Sequence, residues 1–285
     1  MPRSLLGPAA RFLVFAAVMT AIVLVFAGQR GEPTADDTSP EHSATRQSDE
    51  PIRILPLGDS ITQGGSNKDH RPNEYTYRWP LFGMLTEAGV NFDFIGSLDH
   101  GLDKDYAWPD YQGIAFDMDH EGHYGWKTNR VREELPGWME TYPAPADMAL
   151  IHLGTNDQGS EDVEKDIVEP LEQIIAMLRE ANPEVVVLVG HLNFNGGAAL
   201  EIRPLVEDMA ERLDTEQSPV KTVHHYQGWH EKPREENTDT YDWAHPNPRG
   251  QRKMAKKWFE AMKPYLDVEQ TPEPPMLPED VKAGE

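Results

Sequence analysis

Short apolar runs alternate along the chain with longer stretches whose apolar residues recur at helical spacing. Residues 52–57, 92–95, 148–153, 185–189 and 220–224 read as strands, and residues 75–87, 128–139, 163–181, 198–213 and 248–265 read as helices. The third helix is the clearest, because Ile167, Leu171, Ile174, Ile175 and Leu178 fall on one stripe. Parallel strands need crossover connections, and helices in those crossovers cover the sheet on both faces. The alternation therefore predicts an α/β fold, a three-layer α/β/α sandwich around a central parallel sheet of about five strands, flavodoxin-like in strand order. In such sheets ligands gather beyond the carboxyl ends of the strands. Ser60 follows the first strand and Asn156 the third, so both belong to that edge.

The ends of the chain break the pattern. Arg3 and Arg11 precede an unbroken run of apolar and small residues from Phe12 to Gly28, so residues 1–28 read as a signal peptide or an N-terminal membrane anchor. Residues 29–50 hold Thr, Ser, Asp, Glu and Pro without apolar periodicity and read as a disordered linker. The catalytic-type domain is expected over 51–267, followed by a disordered acidic tail over 268–285 that contains Pro272, Pro274, Pro275 and Pro278. With no cysteine in the chain, neither disulfides nor thiolate metal sites hold this exported domain together. A formal net charge of -23, from 49 acidic against 26 basic residues, repels nucleic acid and anionic surfaces at long range but not a neutral polysaccharide.

Candidate chemistry begins where the first strand ends, at Leu57-Gly58-Asp59-Ser60-Ile61-Thr62-Gln63-Gly64. A serine in a glycine-flanked turn can present its hydroxyl as a nucleophile, provided that a base, an orienting acid and oxyanion donors are at hand. His245 supplies the base, because Asp242 lies three residues before it on a Pro-rich loop ahead of the last helix and can hold one imidazole nitrogen. Asp59 supports the loop by hydrogen bonding. Asn156, Gly125 and the Ser60 amide are the oxyanion donors, with Gly122 a rival for the glycine's place. Position 62 is Thr, so the turn is not the G-x-S-x-G elbow of the α/β-hydrolases. A competing reading binds a metal at Asp117, Asp119, His120 and His123, although the two histidines lack the H-E-x-x-H spacing. His224, His225 and His230 lack a comparable carboxylate spacing and read as strand-end or surface residues. Trp126 and Trp243, adjacent to the candidate residues, are the expected substrate contacts.

Gly58-Asp59-Ser60, His120-Glu121-Gly122-His123-Tyr124-Gly125-Trp126, Gly154-Thr155-Asn156-Asp157 and Asp242-Trp243-Ala244-His245-Pro246-Asn247 resemble, in order and spacing, the four sequence blocks of the SGNH (GDSL-type) hydrolases. The resemblance runs from Ile52 to Leu266. Within that superfamily, the stretches 53–62 and 119–123 are similar to the acetylxylan-esterase-like carbohydrate esterases of family three. The resemblance implies an exported serine esterase without a cofactor or metal, acting on short acyl groups, O-acetyl above all, carried by carbohydrate. It leaves a lysophospholipase- or thioesterase-type lipid acyl hydrolase as the alternative enzyme, and a noncatalytic carbohydrate-binding module on the same fold as the alternative class. Oligomeric state is left open.

Overall fold

The computed structural model describes residues 50–65 and 75–276. The expected signal or anchor lies outside the described residues, as do the expected linker up to residue 49 and residues 66–74 and 277–285. Among the described residues, no helix is long and apolar enough to cross a membrane.

Six strands form one sheet: β1 (Ile52–Gly58), β2 (Phe92–Phe94), β3 (Glu121–Gly122), β4 (Met148–His152), β5 (Val186–Gly190) and β6 (Val220–Val223). All pair in parallel, in the order β2-β1-β4-β5-β6, with β3 beside the end of β1. Leaving out the two-residue β3, the path is the flavodoxin-like 2-1-3-4-5 expected from the alternation. The apolar runs are continuous because both faces of the sheet are covered. Leu55 and Leu57 of β1, Ile151 of β4 and Val187 of β5 pack on one side with helices α3 (Thr128–Met139), α4 (Glu169–Ala181) and α5 (Ala198–Leu213). On the other side, Ile54, Leu150 and Leu188 meet Phe82 and Leu85 of α2 (Arg78–Glu87) and Trp258 and Phe259 of α6 (Pro248–Met262). A short helix, α1 (Ser60–Gln63), turns the chain off β1.

Strand ends shift by one residue from the sequence expectation, and three helices depart from it further. α2 begins at Arg78 rather than Tyr75. Pro170 has no N–H to close an α-turn, and the expected helix over 163–181 starts with a π-turn at Glu164–Val168, the Glu169 amide reaching back to Glu164 O. The last helix tightens to a 3-10 turn at Lys263–Tyr265, around Pro264.

The tail also differs. Residues 268–276, expected to be disordered, run along the domain: Val268 packs on the α2/α6 side, Glu273 pairs with Lys256 at 2.7 Å, and Pro275 closes over Gly83. Proline-rich, helix-poor chain can still dock where apolar contacts and a cation wait.

The strand order places the site. β1 has β2 on one side and β4 on the other, so the crossovers diverge between β1 and β4 and leave a crevice beyond their carboxyl ends. Ser60 stands after β1 and Asn156 in the 3-10 turn Thr155–Asp157 after β4.

Candidate active site

At the crevice, α1 begins with Asp59 as its N-cap: Asp59 Oδ1 accepts from the Ile61 amide at 2.9 Å, and the Thr62 and Gln63 amides donate to Asp59 O. That leaves the Ser60 amide, alone in this turn, without a protein acceptor among the described residues. Asp59 is fully buried, and burial pushes its carboxyl up to about 6 against the pull of the Ile61 amide.

Ser60 Oγ lies 2.8 Å from His245 Nε2, across 185 positions of sequence. His245 Nδ1 lies 3.0 and 2.9 Å from the two Asp242 oxygens. With the Nδ1 proton given to that carboxylate, Nε2 is the acceptor of the Ser60 hydroxyl proton. Burial alone would raise the Asp242 carboxyl, but the His245 ring and the His245 and Ala244 amides, at 2.8 and 2.9 Å, outweigh it and hold the group well below the usual carboxylate range. The loop is fixed from behind. The Thr240 hydroxyl lies 2.7 Å from both the Asp242 and the His245 carbonyl oxygens, which share its one proton, and Asn193 Nδ2 donates to Ala244 O at 3.1 Å. Asn247 then caps α6 by accepting from the Gly250 amide, with Pro248 at the first helical position.

Opposite lies the loop after β3. Its amide at Tyr124 donates to Gln63 Oε1 at 2.7 Å, and the Tyr124 ring stands nearly parallel to His245 at 6.3 Å. Gly125 has φ +76°, a conformation suited to glycine, and its amide has no protein acceptor among the described residues. Gly122 differs: its amide donates to His120 Nδ1 at 2.8 Å, and a Cβ there would come within 2.5 Å of Gln63 N. The geometry therefore favours Gly125 over Gly122 as a donor. Asn156 Nδ2 donates one of its two protons to Trp126 O at 2.9 Å.

The two tryptophans separate. Trp126 is half-buried and flanked by Arg130, whose guanidinium sits 3.5 Å from the ring centre, and by His123 and Trp138, so packing claims it. Trp243 is 54% exposed, set edge-on to Phe194 at 5.4 Å. It lines a groove of 890 Å³ with Gln158, Phe194, Glu231, Pro233 and Arg234. Ser60 and His245 line a separate, much smaller hollow that shares no lining residue with the large groove.

The competing metal set is not assembled. Asp117 accepts from the Phe94 and Asp119 amides, while buried His120 has one nitrogen on His100 O and the other on the Gly122 amide. His123 is held by buried Glu121 at 2.6 Å and stacks on Trp138 at 4.0 Å. Burial, reinforced by Asp117, Asp93 and Asp99, pushes Asp119 up to about 6.

One residue at the centre of this arrangement carries no sequence signal. Arg78, fully buried, donates to Thr62 O at 2.8 Å, Gln63 O at 3.2 Å and Met118 O at 2.7 Å. It thereby ties the carboxyl end of α1 to the chain entering β3, with its charge at the helix end that favours a cation. Burial lowers its guanidinium to about 10.

The sequence profile of the GDSL-like Lipase/Acylhydrolase family matches residues 57–253. A multidomain esterase from Ruminococcus flavefaciens is 26% identical over 246 residues, covering 78% of this chain; the chain spans 30% of that relative's length. Among solved structures, a family 3 carbohydrate esterase from Talaromyces cellulolyticus superposes with a TM-score of 0.60 at 23% identity, covering 75% of this chain and 97% of the other. A family 3 carbohydrate esterase from Clostridium thermocellum gives 0.59 at 24% identity, covering 76% and 97%. At those identities the structural likeness is one of fold.

Proposed function

We propose, for a chain that belongs to the GDSL-like lipase/acylhydrolase family, that it is an exported serine esterase removing short acyl groups, O-acetyl above all, from carbohydrate. The observation that carries the reading is the continuous relay from Ser60 Oγ to His245 Nε2 at 2.8 Å and from His245 Nδ1 to Asp242 at 2.9 Å. Ser60 Oγ attacks the ester carbonyl as its proton passes to His245 Nε2, and Asp242 steadies the imidazolium. The Ser60 and Gly125 amides and Asn156 Nδ2 receive the oxyanion. Collapse of the tetrahedral intermediate expels the sugar alkoxide, which takes the proton from His245. Water, deprotonated by His245, then attacks the acyl-Ser60 ester, and a second collapse releases the acid and restores the serine. Apart from the ester and one water, every group in these steps belongs to this chain.

The choice of carbohydrate as the alcohol rests on the family 3 carbohydrate esterases among the fold relatives and on the groove beside Trp243. An exposed indole suits the C–H face of a sugar ring, and Gln158, Glu231 and Arg234 offer partners for its hydroxyls. Export rests on the sequence of residues 1–28.

The decisive experiment compares the purified protein with Ser60→Ala and His245→Ala on p-nitrophenyl acetate and on acetylated xylan. Loss of nearly all turnover in both variants, with the fold intact by circular dichroism, is the expected result. Near-normal turnover in either variant removes the mechanism. A chain-length series of p-nitrophenyl esters separates the lipid-hydrolase alternative, which requires a maximum at eight or more carbons. Saccharide binding without turnover by the unaltered protein would instead support a noncatalytic module.

A further inference from the structure

β5 and β6 end side by side, Gly190 paired with Val223, so the next residue of each strand, His191 and His224, emerges next to the other. Their ring centres are 5.2 Å apart. α5 crosses these strands and brings Glu207 over the pair, with Oε1 2.6 Å from His191 Nε2 and 3.0 Å from His224 Nε2. Among the described residues, this is the one group of three or more potential ligand side chains whose donor atoms lie within 4.8 Å of one another. None of the three belongs to the relay of Ser60, His245 and Asp242.

We propose that His191, Glu207 and His224 bind one divalent transition-metal ion of the zinc class. Two imidazole nitrogens and one carboxylate oxygen form a donor set that such borderline ions take, whereas calcium and magnesium call for oxygen alone. The His191 side chain is 1% exposed, while those of His224 and Glu207 are 36% and 44% exposed, so the ion enters from solvent and keeps water in its remaining position. The supporting contacts are those a ligand set needs. Thr222 Oγ1 donates to Glu207 Oε2 at 2.9 Å and aims the carboxylate. The Gln227 side-chain amide lies 3.0 Å from His224 Nδ1, and with its oxygen turned inward it accepts the Nδ1 proton once Nε2 ligates. Arg203, which stacks on Tyr226 and donates to Phe194 O, is the nearby cation that opposes the ion.

Such an ion pins the ends of β5 and β6 to α5. Two residues on from His191, Asn193 holds the Ala244 carbonyl of the loop between Asp242 and His245. The ion is thus a staple whose ligands take no part in the relay of Ser60, His245 and Asp242, and its signature is stability and binding rather than turnover.

The test uses untagged full-length protein stripped with EDTA and dialysed, then titrated with zinc by calorimetry and by thermal melting. One ion per chain is expected, with a rise in Tm of roughly 5 °C or more at about a hundredfold excess over Kd. Cobalt in place of zinc should give the visible absorption of a four- or five-coordinate site. Glu207→Gln and His224→Gln should each weaken zinc binding at least about tenfold and abolish the Tm response, while p-nitrophenyl acetate turnover and far-ultraviolet circular dichroism stay unchanged. Absence of binding up to millimolar zinc overturns the proposal, as does equal affinity in both variants. In either case the three side chains form only a hydrogen-bonded trio.

Discussion

The side-chain amide of Asn156 donates to the carbonyl oxygen of Trp126 at 2.9 Å, tying the turn after β4 to the loop that carries Gly125. One bond thus orients two of the three proposed oxyanion donors. Asn156→Ala removes a donor and loosens that loop, so kcat should fall about 100- to 1000-fold with a small change in KM. Steady-state kinetics on p-nitrophenyl acetate checks it, and a change confined to KM would assign Asn156 to ground-state binding.

Arg78 makes its three carbonyl contacts without solvent. Arg78→Ala should cost about 3 kcal/mol or more, because Thr62, Gln63 and Met118 lose a charged donor in a buried place. Arg78→Lys cannot reproduce the three-way fork and should recover only part of this. Urea unfolding measures both, and a loss under 1 kcal/mol in Arg78→Ala would show that water replaces the guanidinium.

Acid should destabilise the protein before it protonates the strongly held Asp242. His152 and His225 are fully buried, and burial lowers His152 to about 4 and His225 well below its ordinary range. The unfolded chain takes up these protons near pH 6.5 and the native state does not, so stability is complete above that pH and is lost as pH falls toward 4. His152 by itself accounts for about 3 kcal/mol of this loss. Melting temperatures between pH 8 and pH 4 should fall accordingly, and His152→Gln should flatten the decline.

Asp59 works in the opposite sense. Its folded carboxyl sits at about 6, above the unfolded value of 3.8, so its contribution is fully present below 3.8 and is lost as pH rises through about 6. Asp59→Asn keeps the oxygen that caps Ile61 and removes the buried charge. At pH 8 the variant should be more stable by on the order of 3 kcal/mol, and at pH 4 the difference should nearly vanish. A variant less stable at both values would mean that the ionised carboxylate is needed by the loop.

Trp243→Ala should raise KM for acetylated xylo-oligosaccharide about tenfold while leaving p-nitrophenyl acetate nearly unaffected, since a small aryl ester does not fill the groove beside Phe194. Equal effects on both substrates would place the indole in support of the Asp242–His245 loop instead.

Much of this was legible along the chain. β1, β4 and β5 are buried on both faces, so their apolar runs are continuous, and α4 shows its stripe because one face meets the sheet. Ser60, Asp242 and His245 stood out because strand end, turn and helix start are local features that short-range patterns record. Tertiary structure decided what depends on distant partners. The two residues of β3 have no periodicity to read, and only their pairing with Leu57 and Gly58 makes them a strand. Gly122 remains a rival of Gly125 in sequence until His120 takes the Gly122 amide. Arg78 looks like any helical arginine until α1 and the chain before β3 close over it. Glu207 finds His191 and His224 only because α5 crosses the ends of β5 and β6. Periodicity reports which face of an element is dry; it does not say which polar groups from elsewhere will meet there, and that choice belongs to the packing of the whole chain.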